Sequence, residues 1–446
     1  MKYSKRYIIL SIVLAIVFLF KFHILEMDDA EVGKFRGGSL DSTVWYTMIA
    51  EDVNSQVIRL VIDNKEYTSE DYTFYMDYNR NIMVPVSILR DLLNCSAHMY
   101  ENSYLIVEKH NLSATITVNE LTADSTGEIV NIKSPLTNID GAYYVGLNDL
   151  SDMLGYSYSF SFDENTLTAA DTAENKNALP AKYDLRERLR VSSIRNQGRY
   201  GTCWAFGALT AMESALLPEA TYLFSVDHMS MSNSFKMTQF DGGEYTMGMA
   251  YLAAWQGPVY EKDDPYGDGK SDDSLDAVKH VQEMRIIASK DIAAIKNAVF
   301  KYGGVQTSLY SSMQNPMSAS GHYNSTTNSY CYIGTAKPNH EVVIIGWDDN
   351  YSKDNFSVPL EGDGAFICQN SWGSEFGENG IFYVSYYDTN IGTHNVVYTR
   401  IDEVDNYDNI YQSDLCGWVG KLGYEKESMY GANVFTAKSN EEVVAA

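Results

Sequence analysis

A chain of 446 residues, 45% hydrophobic and 13% aromatic, carries enough apolar material to bury a sizeable core, which excludes wholesale disorder. At roughly 100–200 residues per domain, it accommodates about two to four domains. A formal charge of -26, with no basic run beyond the first residues, argues against a nucleic-acid partner, since phosphate binding needs a basic patch.

Residues 1–33 read as an export segment. Lys2, Lys5 and Arg6 precede the apolar run from Ile8 to Phe20. That run is shorter than the about 20 residues of a full span. It also lacks an A-x-A site, so both a cleaved signal and a retained membrane anchor fit it. An extracellular or cell-surface location is expected in either case. Residues 34–50 read as a linker.

A module over residues 45–170 reads as β-rich. Val57 to Ile62, Tyr104 to Glu108 and Ala114 to Val118 alternate as strands do. MVPVSILRDLLNC (Met83 to Cys95) and YVGLNDLSDMLGY (Tyr144 to Tyr156) form a weak repeat. Val84, Val86, Leu89 and Leu93 align with Val145, Leu147, Leu150 and Leu154. Each copy reads as a strand entering a short amphipathic helix. This pattern resembles the small α+β domain named from the N-terminus of copper amine oxidases. It shows no metal-ligand spacing, so no copper is inferred, and a spacer role is the simpler reading. Polar residues 171–178 read as an interdomain linker.

The chemistry begins at Leu179. In NQGRYGTCWAFGALTAMES (Asn196 to Ser214), the residues from Cys203 onward favour a helix, and Gly198 and Gly201 allow a tight loop before it. Cys203 thus falls at a helix N-terminus, where the dipole lowers a thiol pKa. His340 lies 137 residues on, in NHEVVIIGWDDNY, ahead of the buried-strand run Val342 to Ile345. Asn370 lies 167 residues on from Cys203, in FICQNSWGSEFGENGIFYV. The first spacing fits papain-like enzymes and the second is slightly longer.

Together these segments resemble the papain family of cysteine peptidases. LPAKYDLRERLRVSSIRNQGRYGTCWAF resembles the start of a mature member, and HEVVIIGW and QNSWG resemble the family's other two signatures. FDGGEYTMGMAYL resembles the segment whose paired glycines line the cleft. The resemblance covers Leu179 to about Tyr398, and a domain over 179–400 is expected. It implies an α+β, two-lobed fold, with a helical left lobe and a β-barrel right lobe, preceded by the small β-rich α+β domain.

It also implies roles: Cys203 as nucleophile, His340 as base, Asn370 as its orienting partner and Gln197 as oxyanion donor. Trp372 would shield the His340–Asn370 bond. Gly201, Gly242 and Gly243 would admit a peptide backbone, and Trp204 and Asn339 complete the substrate-binding candidates. No metal or cofactor is implied. The pattern departs at Tyr200, where many relatives have a disulfide cysteine. It departs again at Asp241, where asparagine is common, and at Asn339, where aspartate is frequent.

The remaining candidate residues have plainer roles. His228, His280 and His322 lack catalytic context and read as surface or packing residues. Asp263-Asp264 and Asp348-Asp349 read as solvated turns in preference to calcium sites. Cys331 and Cys368 flank the His340 segment, and the sequence leaves open whether they pair. An odd count of five cysteines leaves at least one thiol free in an exported chain unless it pairs with another chain.

Residues 401–446 resemble the start of a lectin-like β module, with a cell-surface glycan as the implied partner. The expected function is an exported cysteine peptidase acting on protein or peptide. The alternatives are an adhesion or carbohydrate-binding protein with an inactive peptidase fold, and a transpeptidase.

Overall fold

The computed structural model describes residues 59–62, 65–67, 74–77, 79, 81–161, 166–171, 179–313, 315, 318–417 and 432–440. The apolar run 8–20, the linker 34–50 and residues 172–178 lie outside these. Among the described residues no helix is long and apolar enough to cross a membrane. The chain divides into two compact units, one of residues 1–88 and 116–172, the other of residues 89–115 and 173–446.

In the smaller unit the two repeat copies meet. Strand Ile82–Pro85 pairs antiparallel with strand Ala142–Gly146, and the register sets Val84 opposite Val145. Each strand leads directly into a helix, Val86–Asp91 and Leu147–Leu154. The aligned valines, both 1% exposed, are therefore neighbours in space. Asp149, in the first turn of the second helix, accepts from Asn81 Nδ2 at 2.7 Å and from the Lys133 N–H at 2.8 Å. Those bonds replace the water a buried carboxylate loses.

The larger unit is built on one mixed sheet. Its strands are β1 (Lys182–Asp184), β2 (His280–Ile287), β3 (Val305–Leu309), β4 (Tyr323–Asn324), β5 (Ser329–Tyr330), β6 (His340–Asp348), β7 (Ala365–Gln369), β8 (Ile381–Ser385) and β9 (Asn395–Asp402). The order is β2-β9-β3-β6-β7-β8-β5-β4, and β1 pairs with β6. The helices are α1 (Cys203–Leu216), α2 (Val226–Met231), α3 (Tyr245–Ala253) and α4 (Ile292–Tyr302). The hairpin of strands Ser96–Tyr100 and Tyr104–Lys109 also packs within this unit. There His98 Nδ1 lies 3.1 Å from Glu219 Oε1, and Arg188 pairs with Glu108 at 2.7 Å.

Two elements decide where the site lies. Strand β6 is buried from His340 to Trp347 because α1 and α4 both pack against it. A strand covered on both faces reads as a continuous apolar run. Helix α1 is buried at every position from Cys203 to Ser214, which is why its apolar residues show no single face. Its buried Glu213 is held by Arg195 Nη2 at 3.0 Å and by the Phe224 N–H at 2.9 Å. Ser192 Oγ also donates to it.

Cys331 and Cys368 do not pair; both are free and buried. Cys331 follows β5 and Cys368 lies on β7, with β8 between them. Two strand spacings, roughly 9.5 Å, exceed the about 7 Å a disulfide can bridge between Cα atoms. His228 and His280 are packing residues, the first bonded to Tyr251 Oη at 2.6 Å and the second stacked on Trp255 at 3.7 Å. Asp349 accepts from Tyr386 Oη at 2.7 Å and pairs with Lys296, and Asp264 accepts from Ser271 Oγ at 2.6 Å.

Candidate active site

Sheet register brings His340 and Asn370 together. Strands β6 and β7 are antiparallel, with Val343 opposite Gln369 and Ile344 opposite Cys368. Continuing that ladder past the end of β7 sets the Asn370–Trp372 turn beside the start of β6. There His340 Nε2 lies 2.8 Å from Asn370 Oδ1. The Trp372 ring lies 4.9 Å from the imidazole, centroid to centroid. All three side chains are buried. With Nε2 engaged by an amide oxygen, Nε2 carries the hydrogen and Nδ1 is the basic nitrogen.

A second link brings in the cysteine loop. Asn196 and Trp372 form an antiparallel bridge, and the Gln197 N–H donates to the Ser371 carbonyl at 2.8 Å. Ser371 Oγ donates to Gln197 Oε1 at 2.6 Å, and Gln197 Nε2 donates to the Tyr200 carbonyl at 2.7 Å. The amide is thus locked in orientation, and Nε2 keeps its second hydrogen. Tyr266 Oη adds a brace, donating to the Gln197 carbonyl at 2.9 Å and lying 2.6 Å from Thr202 Oγ1. Thr202 is the N-cap of α1, so Cys203 opens the helix as expected from sequence.

The backbone N–H groups of Glu341, the residue after His340, and of Trp204 draw the Cys203 thiol pKa downward. Burial nevertheless dominates. It pushes the Cys203 thiol up to about 12 and the His340 imidazole down to about 4. The sequence reading expects a lowered thiol pKa at a helix N-terminus. The structure reverses that for an isolated thiolate, because lost hydration outweighs the helix dipole and those N–H groups. Neither group ionises alone at neutral pH. A proton passed between them leaves the net charge at zero.

The glycines serve close packing. A Cβ on Gly201 would stand 2.8 Å from Gly242 Cα, and one on Gly243 would stand 2.4 Å from Trp204 Nε1. Gly242 itself adopts a φ of +80°, in the left-handed region that favours glycine. Trp204 is 2% exposed, so its ring lies beneath Gly243 and is not presented to a ligand. Gly243→Ala is expected to destabilise the fold by about 1–3 kcal/mol through overpacking. A urea midpoint that falls with the m-value unchanged checks this, and an unmoved midpoint contradicts it. Asn339 is exposed and pins the strand entry, accepting from the Ser311 N–H at 2.7 Å and donating to the Ser311 carbonyl at 3.0 Å.

Sequence reasoning missed Ser371, Tyr266 and Glu341. Only Glu341 left a signal, as a single acidic residue heading an otherwise apolar strand. Its carboxyl is buried, with Ser308 Oγ at 2.5 Å from Oε1.

Comparison with known proteins gives this geometry its family. The sequence model of papain family cysteine proteases matches residues 179–401, half of the chain. The chain belongs to the papain family of cysteine proteases. A lectin like domain model matches residues 410–446. Pro-cathepsin H of Mus musculus is 28% identical over 254 residues, covering 54% of this chain and 72% of that protein. Cysteine proteinase 1 of Zea mays is 29% identical over 222 residues, covering 46% of this chain and 56% of that protein.

Among solved structures, the clostridial cysteine protease Cwp84 after propeptide cleavage matches with a TM-score of 0.48 and 28% identity. That match covers 52% of this chain and 60% of Cwp84. A structure of the cysteine protease and lectin-like domains of Cwp84, from Clostridium difficile, matches with a TM-score of 0.46 and 28% identity, over 51% and 53% of the two chains. This chain thus spans less than two thirds of these bacterial structures.

Proposed function

We propose that the chain is an exported peptidase that cleaves peptide bonds through a thioester on Cys203. The observation that carries this reading is the His340–Asn370 hydrogen bond set beside the start of α1. It leaves His340 Nδ1 outside that bond, as the nitrogen that would accept the Cys203 proton. In this mechanism the Cys203 sulfur attacks the scissile carbonyl carbon while its proton moves to His340 Nδ1. The carbonyl electron pair shifts to oxygen, which accepts from the Cys203 N–H and from Gln197 Nε2. Collapse expels the amine, which takes the proton back from His340. Water then attacks the thioester, again with His340 as base, and releases the carboxylate product.

Asn370 keeps the imidazole in the required tautomer, and Trp372 covers that bond. Export rests on the basic residues before the apolar run Ile8 to Phe20, and the lectin-like match over 410–446 supports a cell-surface glycan partner. A transpeptidase shares every step up to the thioester and differs only in its resolving amine.

The test incubates the full chain with a panel of internally quenched peptides, with and without an added amine nucleophile. Carboxylate products that require Cys203 support hydrolysis. Amide products that form only with the amine point to transpeptidation, and no turnover by a folded protein overturns both. Gln197→Ala is expected to lower kcat/KM by about 10²–10³-fold. A loss below about threefold in a protein of unchanged melting temperature contradicts the oxyanion role.

A further inference from the structure

Ser308 and His394 link the buried Glu341 carboxyl to solvent through a short line of polar atoms. Glu341 sits opposite Ser308 in the β3–β6 register, with Ser308 Oγ 2.5 Å from its Oε1 and Gln306 Nε2 3.4 Å from its Oε2. Ser308 Oγ also lies 2.9 Å from His394 Nδ1. His394 is exposed and stacks on Tyr245 at 5.0 Å. A hydroxyl between an imidazole nitrogen and a carboxyl can donate to either and accept from the other. The line therefore carries a proton in either direction. At its inner end, the same Gln306 Nε2 donates to the Trp204 carbonyl at 3.2 Å, which ties the carboxyl to the first turn of α1 beside Cys203, and a negative charge there raises the thiol pKa.

The groups facing Glu341 contain no counter-cation. Cys203 faces it from α1, and Tyr398 from β9. The Tyr398 hydroxyl is buried without a hydrogen-bond partner. Glu244 and Tyr245 act on it from the start of α3. Arg195 and Glu341 line one small cavity, but the Arg195 guanidinium is committed to Glu213 at 3.0 Å. No described residue forms an ion pair with Glu341. A buried carboxyl in such surroundings keeps its proton, and burial lifts its pKa to about 8.

We propose that Glu341 is a positioning residue that acts by charge: neutral, it permits a thiolate at Cys203; ionised, it holds the sulfur as a thiol, with Ser308 and His394 as its proton route to solvent. The proposal rests on Cys203 being the nucleophile. Below pH 8 the carboxyl is mostly neutral and adds nothing to the burial that already opposes the thiolate. Above it, a buried negative charge opposes a second one nearby.

The test measures the rate at which iodoacetamide alkylates Cys203 in the full chain from pH 6 to 10, read by mass spectrometry of the Cys203 peptide. At pH 9 a group of pKa about 8 is about tenfold more ionised than neutral. The ratio of rates at pH 9 and pH 7 is therefore expected to be about tenfold higher in Glu341→Gln than in the native protein. A purely structural role changes the rate at every pH and leaves that ratio alone. Equal ratios overturn the proposal.

Ser308→Ala, which removes a donor that lowers the Glu341 pKa, is expected to shift the alkaline inflection upward. An unmoved inflection there overturns the proposal even where Glu341→Gln does not fold. Failure of the peptidase reading looks different: Cys203 then shows no reactivity above that of the buried Cys368 at any pH.

Discussion

Replacing Cys203 by alanine is expected to cut peptide hydrolysis by at least about 10⁴-fold, because no other group in the cleft can form the thioester. Among the remaining cysteines, Cys331 and Cys368 are both buried, and burial raises both thiols, Cys331 to about 12 and Cys368 well above the usual range. Neither is placed to substitute. The substitution removes one small side chain from the start of α1 while the rest of that buried helix stays packed. Near-normal far-UV circular dichroism beside lost turnover is therefore the expected pair of results. Turnover within about tenfold of the native rate contradicts the proposed mechanism.

The second large effect falls on stability. Glu213→Ala is expected to cost about 3 kcal/mol. Glu213 lies inside α1 and accepts from Arg195, Ser192 and the Phe224 N–H. Removing the carboxylate leaves the Arg195 guanidinium largely buried and unpaired, with its side chain 12% exposed. Breaking one side of a buried pair typically costs about 3–5 kcal/mol, and the partial exposure of Arg195 places this case at the lower end. Urea unfolding of the variant checks the figure. A destabilisation under about 1 kcal/mol shows that water reaches the arginine and replaces the pair.

Local sequence carried the elements that build the site. The alanine, leucine and methionine run after Cys203 gave the helix at its N-terminus. The run Val342 to Ile345 gave the buried strand, which the structure extends to His340–Asp348. The HEV and QNS segments gave the residues that the β6–β7 register brings into contact. What stayed hidden depends on groups far apart in the chain. The thiol's upward shift follows from packing around α1, which no local pattern reports. Ser371 is an ordinary turn serine in sequence, and its bond to Gln197 spans 174 positions. Glu341 stands just before the apolar run Val342 to Ile345 with nothing local to mark it, because its meaning depends on Ser308, which reaches it from β3, and on His394, which reaches Ser308. The hairpin at 96–109 packs within the larger unit through Glu219, 121 positions from His98.

In the proposed mechanism the sulfur becomes reactive only by handing its proton to His340. The direct measurement is the alkylation rate of Cys203 by iodoacetamide at pH 6.5, in the native protein and in His340→Ala. A positioned general base contributes about 10²–10⁴-fold, so the native rate is expected to exceed the variant's by at least about 100-fold. Equal rates, with both proteins folded, would show that the imidazole does not activate the thiol.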